Sequence, residues 1–156
     1  MLNNHSLDKC SYAASLEVRK QTYLKVLAGC ADVGPKICII GDRPGPSAPQ
    51  DIGYHHTPFY STKHCSGWLN SLLHLNGIPE NRLVWVNSTL YDGCALDSNL
   101  LQDWDIERFI ALGGAAEKWA KKSNLSPLIK VDHPQYWKRF RSSSRYPLVD
   151  ILRSAL

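Results

Sequence analysis

The sequence has no long apolar run, and its first residues do not resemble a hydrophobic leader. No stretch of its 156 residues approaches the roughly twenty consecutive apolar positions that a membrane-spanning helix requires. Residues 1–6 have neither the basic start nor the apolar centre of a secretory signal peptide. With 44% apolar and 21% charged residues, the composition is that of an ordinary globular protein. We therefore expect a single domain covering residues 1–156, in a cytoplasmic compartment and without a membrane partner.

The cysteines also lack any recognisable spacing. Five is an odd number, and no Cys-x-x-Cys pair occurs among them, which argues against a disulfide framework and a zinc ribbon. His55, His56 and His64 lie close together in sequence, but no carboxylate or cysteine accompanies them at regular spacing. The sequence therefore predicts free thiols, no metal and no cofactor.

Basic charge is present in modest excess and is concentrated in one segment. The formal net charge is +4, from 18 basic and 14 acidic residues. Residues 130–145 contain five basic residues against the single acid Asp132, interleaved with three aromatic residues. This mixture suits a nucleic-acid backbone with unstacked bases, and it equally suits a solvated basic face with inward-packed aromatics. The residues concerned are Lys130, Tyr136, Trp137, Lys138, Arg139, Phe140, Arg141 and Arg145.

Short apolar runs alternate with helical periods along the chain. This alternation predicts an α/β fold, a three-layer α/β/α sandwich with a central four-stranded parallel sheet. The long segment 42–66 is rich in turn residues and aromatics, which is typical of an ordered site loop. A short helix or turn is expected at 105–109. Strands are predicted at 36–41, 82–87, 109–113 and 128–131, and helices at 15–30, 67–75 (with Ser66 as its N-cap), 115–123 and 146–156.

The polar residues that end these strands form the expected site. In a parallel sheet the carboxyl ends of the strands share one edge, where ligands usually bind. The first strand ends at Gly41 in a loop held by prolines, in which glycine permits close approach of a ligand. Residues expected to border one crevice are Gly41, Asp42, Arg43, Pro44, Asn87, Gly113 and His133.

A series of short motifs occurs in a characteristic order over residues 36–140. They are Gly41-Asp-Arg-Pro-Gly45, Pro58-Phe59, Ser66-Gly67, Val86-Asn87, Leu112-Gly113-Gly114-Ala115-Ala116 and His133-Pro134-Gln135. Each motif alone is weak, but their order and spacing together resemble the uracil-DNA glycosylase superfamily.

The resemblance implies roles for individual residues on a flipped DNA base. Gly41, Arg43, Pro44 and Gly45 would line the pocket for base and sugar, and Phe59 would stack on the base. Asn87 would read the polar edge of the base, and His133 would donate to the developing anion, so that Asp42, Asn87 and His133 form the expected catalytic set. DNA contacts are expected from Ser66, Gln135, Tyr136, Trp137, Lys138 and Arg139, the residues after Pro134 corresponding to a strand-penetrating loop.

The chain departs from the family pattern at several positions. Ser47-Ala48 stands where many members carry an acid, and either Asp42 or Asp51 is a candidate substitute. Arg43 is an unexpected guanidinium that suits an anionic group better than neutral uracil. The cysteines of the iron–sulfur branch are unmatched, since Leu90-Tyr91-Asp92 occupies one expected position, so no cluster is predicted.

The residues leave three functions open. The first is a glycosylase that releases uracil or a 5-substituted uracil from DNA. The second is an enzyme that alters the 5-substituent of a flipped pyrimidine, as in hypermodified phage DNA, without breaking the sugar bond. The third is a DNA-binding homologue without chemistry.

Overall fold

Four apolar segments form the strands of one sheet. The computed structural model describes residues 4–44 and 57–156, and within residues 4–11 only the backbone. The strands are β1 (Ile37–Gly41), β2 (Leu83–Asn87), β3 (Arg108–Leu112) and β4 (Leu128–Val131). They pair in the order β2-β1-β3-β4, and every pair is parallel. All four carboxyl ends therefore lie at one edge of the sheet.

Helices cover both faces of this sheet. One face carries the core formed by alternate strand residues such as Cys38 and Ile40, packed against α1 (Asn4–Leu27) and α3 (Gly114–Lys122). The opposite face, with Ile39 and Trp85, packs against α2 (His64–Leu75) and α5 (Pro147–Ala155). The predicted fold class, an α/β/α sandwich with a four-stranded parallel sheet, is confirmed. The helices are α1 (Asn4–Leu27), α2 (His64–Leu75), α3 (Gly114–Lys122), α4 (Pro134–Phe140) and α5 (Pro147–Ala155), with short 3-10 turns at Glu80–Arg82 and Ser98–Leu101.

Two helices begin earlier than the sequence pattern predicts. The first helix starts at Asn4 rather than at residue 15, and its buried Tyr12 lies against His74 of α2 with the ring centroids 6.5 Å apart. The second starts at His64, so Ser66 lies inside the helix rather than at its N-cap. The N–H of Gly67 donates to the Lys63 carbonyl (3.0 Å), so the first turn of the helix already includes Ser66.

Two further segments differ from their predicted structure. Arg108 belongs to β3, not to a helix or turn, since it pairs with Ile37 of β1. Residues 134–140 form α4, where a penetrating loop was expected. Pro134 occupies the first turn of α4, where its missing N–H costs no hydrogen bond. The motif that ends β4 therefore also begins a helix. Among the described residues, no helix is long and apolar enough to cross a membrane.

Candidate active site

The loop after β1 is fixed to the end of β2 by backbone hydrogen bonds. Gly41 pairs in register with Asn87, and the N–H of Ser88 donates to the Gly41 carbonyl at 2.9 Å. The Asp42 carbonyl accepts from the Thr89 N–H at 2.8 Å and from the Ser88 hydroxyl at 3.0 Å. These bonds extend the β1–β2 pairing past the strand ends, so the backbone of Asp42 has a defined position.

A pocket of about 690 Å³ opens at this edge of the sheet. Its volume is within the usual range for small-molecule sites. The pocket brings together ten of the residues predicted for the site, although they come from five separate parts of the chain. The described residues that line it are Asp42, Arg43, Pro44, Phe59, His64, Cys65, Ser66, Asn87, His133, Gln135, Lys138 and Arg139.

Phe59 forms the aromatic wall of the pocket. Its ring centroid lies 5.7 Å from that of His133 and 5.9 Å from that of Trp85, the latter edge-on. Its backbone has φ of 53°, in the left-handed region that a bulky residue rarely adopts. Unusual backbone conformations of this kind recur at ligand sites, where the surrounding structure maintains them. The ring packs against both Trp85 and His133 at one side of the pocket.

Asn87 lies deep in the pocket with an unused donor. The residue is 2% exposed, and its Nδ2 has no hydrogen-bond partner. A Cβ at position 41 would collide with Asn87 Oδ1 and approach the Phe59 ring to 3.1 Å, so only glycine leaves room here. Gly41 does not itself line the pocket, but it lies against two residues that do, Asn87 and Phe59. A buried amide N–H without a partner costs free energy that an acceptor on a ligand would recover.

His133 presents a neutral imidazole to the pocket. Its Nδ1 accepts the N–H of Gln135 at 3.1 Å and so caps α4, which leaves the proton on Nε2. Burial lowers the pKa of His133, and the nearby Asp42 carboxylate offsets part of this shift. Gly113 has φ of 100°, and a Cβ there would lie 3.2 Å from the His133 Cβ. The His133 Nε2–H is therefore a fixed donor that carries no positive charge at neutral pH.

Asp42 is the carboxylate that lines the pocket within the described residues. It is half-buried, and its charge acts on His133. Of the two acids proposed from sequence, Asp51 lies outside the described residues, as does Gly45. Of the two candidate acids, the structure therefore describes Asp42, and it places this residue in the lining of the pocket.

Positive charge surrounds the mouth of the pocket. Arg43, Lys138 and Arg139 are exposed there, together with His64 at the start of α2. The four residues are called the basic rim below.

Cys65 lies beside the basic rim, and burial raises the pKa of its thiol while Lys138 partly lowers it. The pocket roles of His64 and Cys65 were missed from sequence, although both immediately precede the Ser66-Gly67 motif.

Two residues predicted to contact DNA do not line the pocket. Trp137 is fixed in the protein: its Nε1–H donates to the Ser144 carbonyl at 3.1 Å, and its ring lies 5.7 Å from Tyr146. Tyr136 points outward and is 44% exposed, beside the still more exposed Phe140 at 5.1 Å between centroids. Of the aromatic residues on α4, Tyr136 and Phe140 are thus the accessible ones.

Comparisons with known proteins do not add a family. No family model matches the chain, and no curated protein matches it. Within the part of the chain that the structure describes, no three His, Cys, Asp or Glu side chains are grouped so as to hold a metal. The site is therefore characterised by its own residues: an aromatic wall, two fixed N–H donors and one carboxylate under a basic rim.

Proposed function

We propose that the protein is a DNA base-flipping enzyme that cleaves the N-glycosidic bond of uracil or a 5-substituted uracil. The observation that carries the proposal is the pocket in which Phe59, Asn87 and His133 meet. An aromatic face, an unpaired amide donor and a neutral imidazole donor suit a planar base with carbonyl oxygens at its edge. The order of sequence motifs, which resembles that of uracil-DNA glycosylases and includes these three residues, supports the same substrate.

The proposed reaction is hydrolysis at the sugar C1′. The C1′–N1 bond breaks, and its electron pair goes to the base, where the charge spreads over the ring nitrogen and the carbonyl oxygens. The His133 Nε2–H stabilises this charge by hydrogen bonding, and the Asn87 Nδ2–H binds a carbonyl oxygen of the base. Water forms the new bond to C1′, and the Asp42 carboxylate accepts its proton.

The basic rim and α4 are the proposed contacts for DNA. Arg43, Lys138 and Arg139 bear positive charge at the pocket mouth, suited to the phosphates on either side of a flipped nucleotide. Tyr136 and Phe140 are exposed aromatic rings on the same helix as Lys138 and Arg139, and such rings stack on unpaired bases.

Arg43 favours a second candidate function. If Arg43 does not bind a DNA phosphate, its guanidinium is available to an anionic group other than the uracil base, which is neutral. An enzyme that modifies the 5-substituent of the flipped pyrimidine, leaving its sugar bond intact, would use such a group to bind an anionic co-substrate.

Product analysis separates these functions. Purified protein is incubated with single- and double-stranded oligonucleotides containing uracil or 5-hydroxymethyluracil, followed by alkaline cleavage and mass spectrometry of the nucleosides. A glycosylase yields abasic sites and free base; a modifying enzyme yields a nucleoside of changed mass once its co-substrate is supplied. Binding without either product would leave only the inactive homologue. The activity should be strongly reduced in Asn87→Ala and His133→Ala and retained in Asn99→Ala, whose exposed side chain does not line the pocket.

A further inference from the structure

A buried ion pair lies directly behind the aromatic wall. Arg19 of α1 and Glu80 of the first 3-10 turn are 2% and 7% exposed, and Arg19 Nε donates to Glu80 Oε1 at 2.7 Å. Arg19 Nη2 donates to the second carboxylate oxygen at 3.3 Å. Replacing such pairs by apolar residues of similar volume is often neutral or stabilising, so stability alone does not account for this one.

The same guanidinium has further contacts, all directed toward Phe59. Arg19 Nη1 donates to the carbonyls of Pro58 (3.1 Å) and Phe59 (3.2 Å), two successive residues of the chain. The guanidinium also lies over the ring of Trp85, 3.9 Å from its centroid, and Trp85 meets the Phe59 ring edge-on. Arg19 thus contacts the backbone of Phe59 directly and its ring through one intervening side chain.

Asn70 of α2 completes the arrangement. Its Nδ2 donates to the carbonyls of Phe59 (2.8 Å) and Ser61 (3.0 Å), and the residue is 2% exposed. The Phe59 carbonyl therefore accepts from two buried side chains on two helices, and also from the Ser61 N–H at 3.0 Å. This concentration of donors on one carbonyl coincides with the unusual φ of Phe59, a conformation that needs external support.

We propose that Arg19, held by Glu80 and assisted by Asn70, is a positioning residue that fixes the Phe59 ring as the stacking surface of the pocket. The proposal rests on the proposed function, because it treats the Phe59 ring as the surface that receives the base. Glu80 orients the guanidinium group of Arg19. The hydrogen bonds from this group to the Pro58 and Phe59 carbonyls fix the backbone that carries the Phe59 ring.

The decisive variant removes the donors without leaving a buried charge. Arg19→Met alone leaves Glu80 buried without its partner and is expected to destabilise the fold, whereas Arg19→Met/Glu80→Met removes both charges at similar volume. Arg19→Lys keeps the charge but loses the planar fork. The matched control is Lys25→Met/Asp32→Asn, which removes an exposed ion pair that also involves α1.

Fluorine NMR reads the ring position without any assumption about activity. The chain has three phenylalanines, so protein labelled with 4-fluorophenylalanine gives three resonances, and Phe59→Ala assigns one of them. The Phe59 resonance should shift or broaden in Arg19→Met/Glu80→Met and in Arg19→Lys, with Phe109 and Phe140 unchanged. The control variant should leave all three unchanged. An unmoved Phe59 resonance in the double variant overturns the proposal, whether or not the protein is a glycosylase.

Kinetics on the uracil oligonucleotide test the consequence for the site. The double variant should raise KM by about tenfold, the order expected for a lost stacking surface, with a smaller change in kcat. In a Phe59→Ala background the same two substitutions should have almost no further effect, because the ring they position is gone. An undiminished effect in that background overturns the proposal. If the native protein has no glycosylase activity, the proposed function fails, and the fluorine resonances alone decide the role of Arg19.

Discussion

The buried part of the pocket, formed by Phe59, Asn87 and His133, is called the floor below. It differs from the basic rim in how its residues are held. On the floor, Asn87 is buried, Phe59 is held by two helices, and His133 is fixed by the hydrogen bond that caps α4. On the rim, Arg43, Lys138 and Arg139 are exposed to solvent. Buried groups with fixed geometry can discriminate between ligands and stabilise a transition state, whereas exposed charges mainly supply salt-dependent attraction. The buried donors of the floor, on Asn87 and His133, should therefore govern rate and specificity, whereas the rim, like the stacking surface of Phe59, should govern affinity.

The largest effects should follow from changes to the floor donors. Asn87→Asp replaces the unpaired Nδ2–H by an oxygen, and His133→Ala removes the Nε2–H. Each should lower kcat on a uracil oligonucleotide by about 10²- to 10³-fold, the usual cost of losing one donor to a developing anion. Single-turnover assays with excess enzyme measure this directly. Loss of DNA binding with an unchanged single-turnover rate would instead show that these residues contribute to affinity, as proposed for the rim.

Asn87→Leu gives a companion measurement on stability. Because it removes a buried donor that has no partner, the melting temperature should not fall even though activity is lost. A marked fall would mean that the amide serves the fold rather than a ligand.

The next largest effect concerns the space beneath the floor. Gly41→Ala places a Cβ against Asn87 Oδ1 and close to the Phe59 ring, so it should destabilise the protein by about 1–3 kcal/mol, the usual cost of overpacking, and also reduce activity. Denaturant unfolding measures the first effect. The control is Gly114→Ala at the start of α3, where no atom lies within 4 Å of the new Cβ. Equal behaviour of the two variants would show that the floor is not tightly packed.

Rim substitutions should act on affinity and its salt dependence. Lys138→Gln and Arg139→Gln should each reduce the slope of log K against log salt by about 0.7 to 0.9, according to whether DNA binds as single or double strands. Fluorescence anisotropy of labelled oligonucleotides at several salt concentrations measures this slope. Lys122→Gln on α3 is the matched control, since α3 packs on the opposite face of the sheet from α2 and α5. A reduced kcat at saturating DNA would contradict the division between rim and floor.

The smallest effect should be the change in activity near neutral pH. Burial lowers the pKa of His133 below its ordinary value of 6.5, so the imidazole stays neutral at that pH. Activity should be nearly flat from pH 8 to 6.5 and fall only on further acidification. Stability should change in the same direction. The contribution of neutral His133 to stability is complete above about pH 6.5, where His133 is also neutral in the unfolded chain, and it decreases as pH falls toward the pKa of His133 in the folded protein.

The pH profile of kcat/KM, with unfolding measured in parallel, tests this prediction. His74→Gln, a change remote from the pocket, should keep the acidic fall. A decline that already begins above pH 6.5 would show that His133 carries a proton at neutral pH.

Local sequence patterns predicted most of the fold. Apolar runs of strand length identified all four strands within about one residue, because the central strands are buried on both faces and consist of such runs, and even the edge strand β4 keeps three apolar residues of four. Helix starts were predicted less well, since they depended on contacts such as Tyr12 with His74 and on the bond from Gly67 to Lys63. The helix α4 was missed because its seven residues are too few for a clear apolar period.

The sequence by itself determined the strand ends, and with them Asp42, Asn87 and His133 as neighbours, because parallel strands must share their carboxyl edge. It did not determine which donors would be free. The tertiary structure alone decided that Asn87 Nδ2 is unpaired and that Arg19 and Asn70 both donate to the Phe59 carbonyl. The contact between Arg19 and Phe59 joins residues 40 positions apart, a separation that no local pattern encodes.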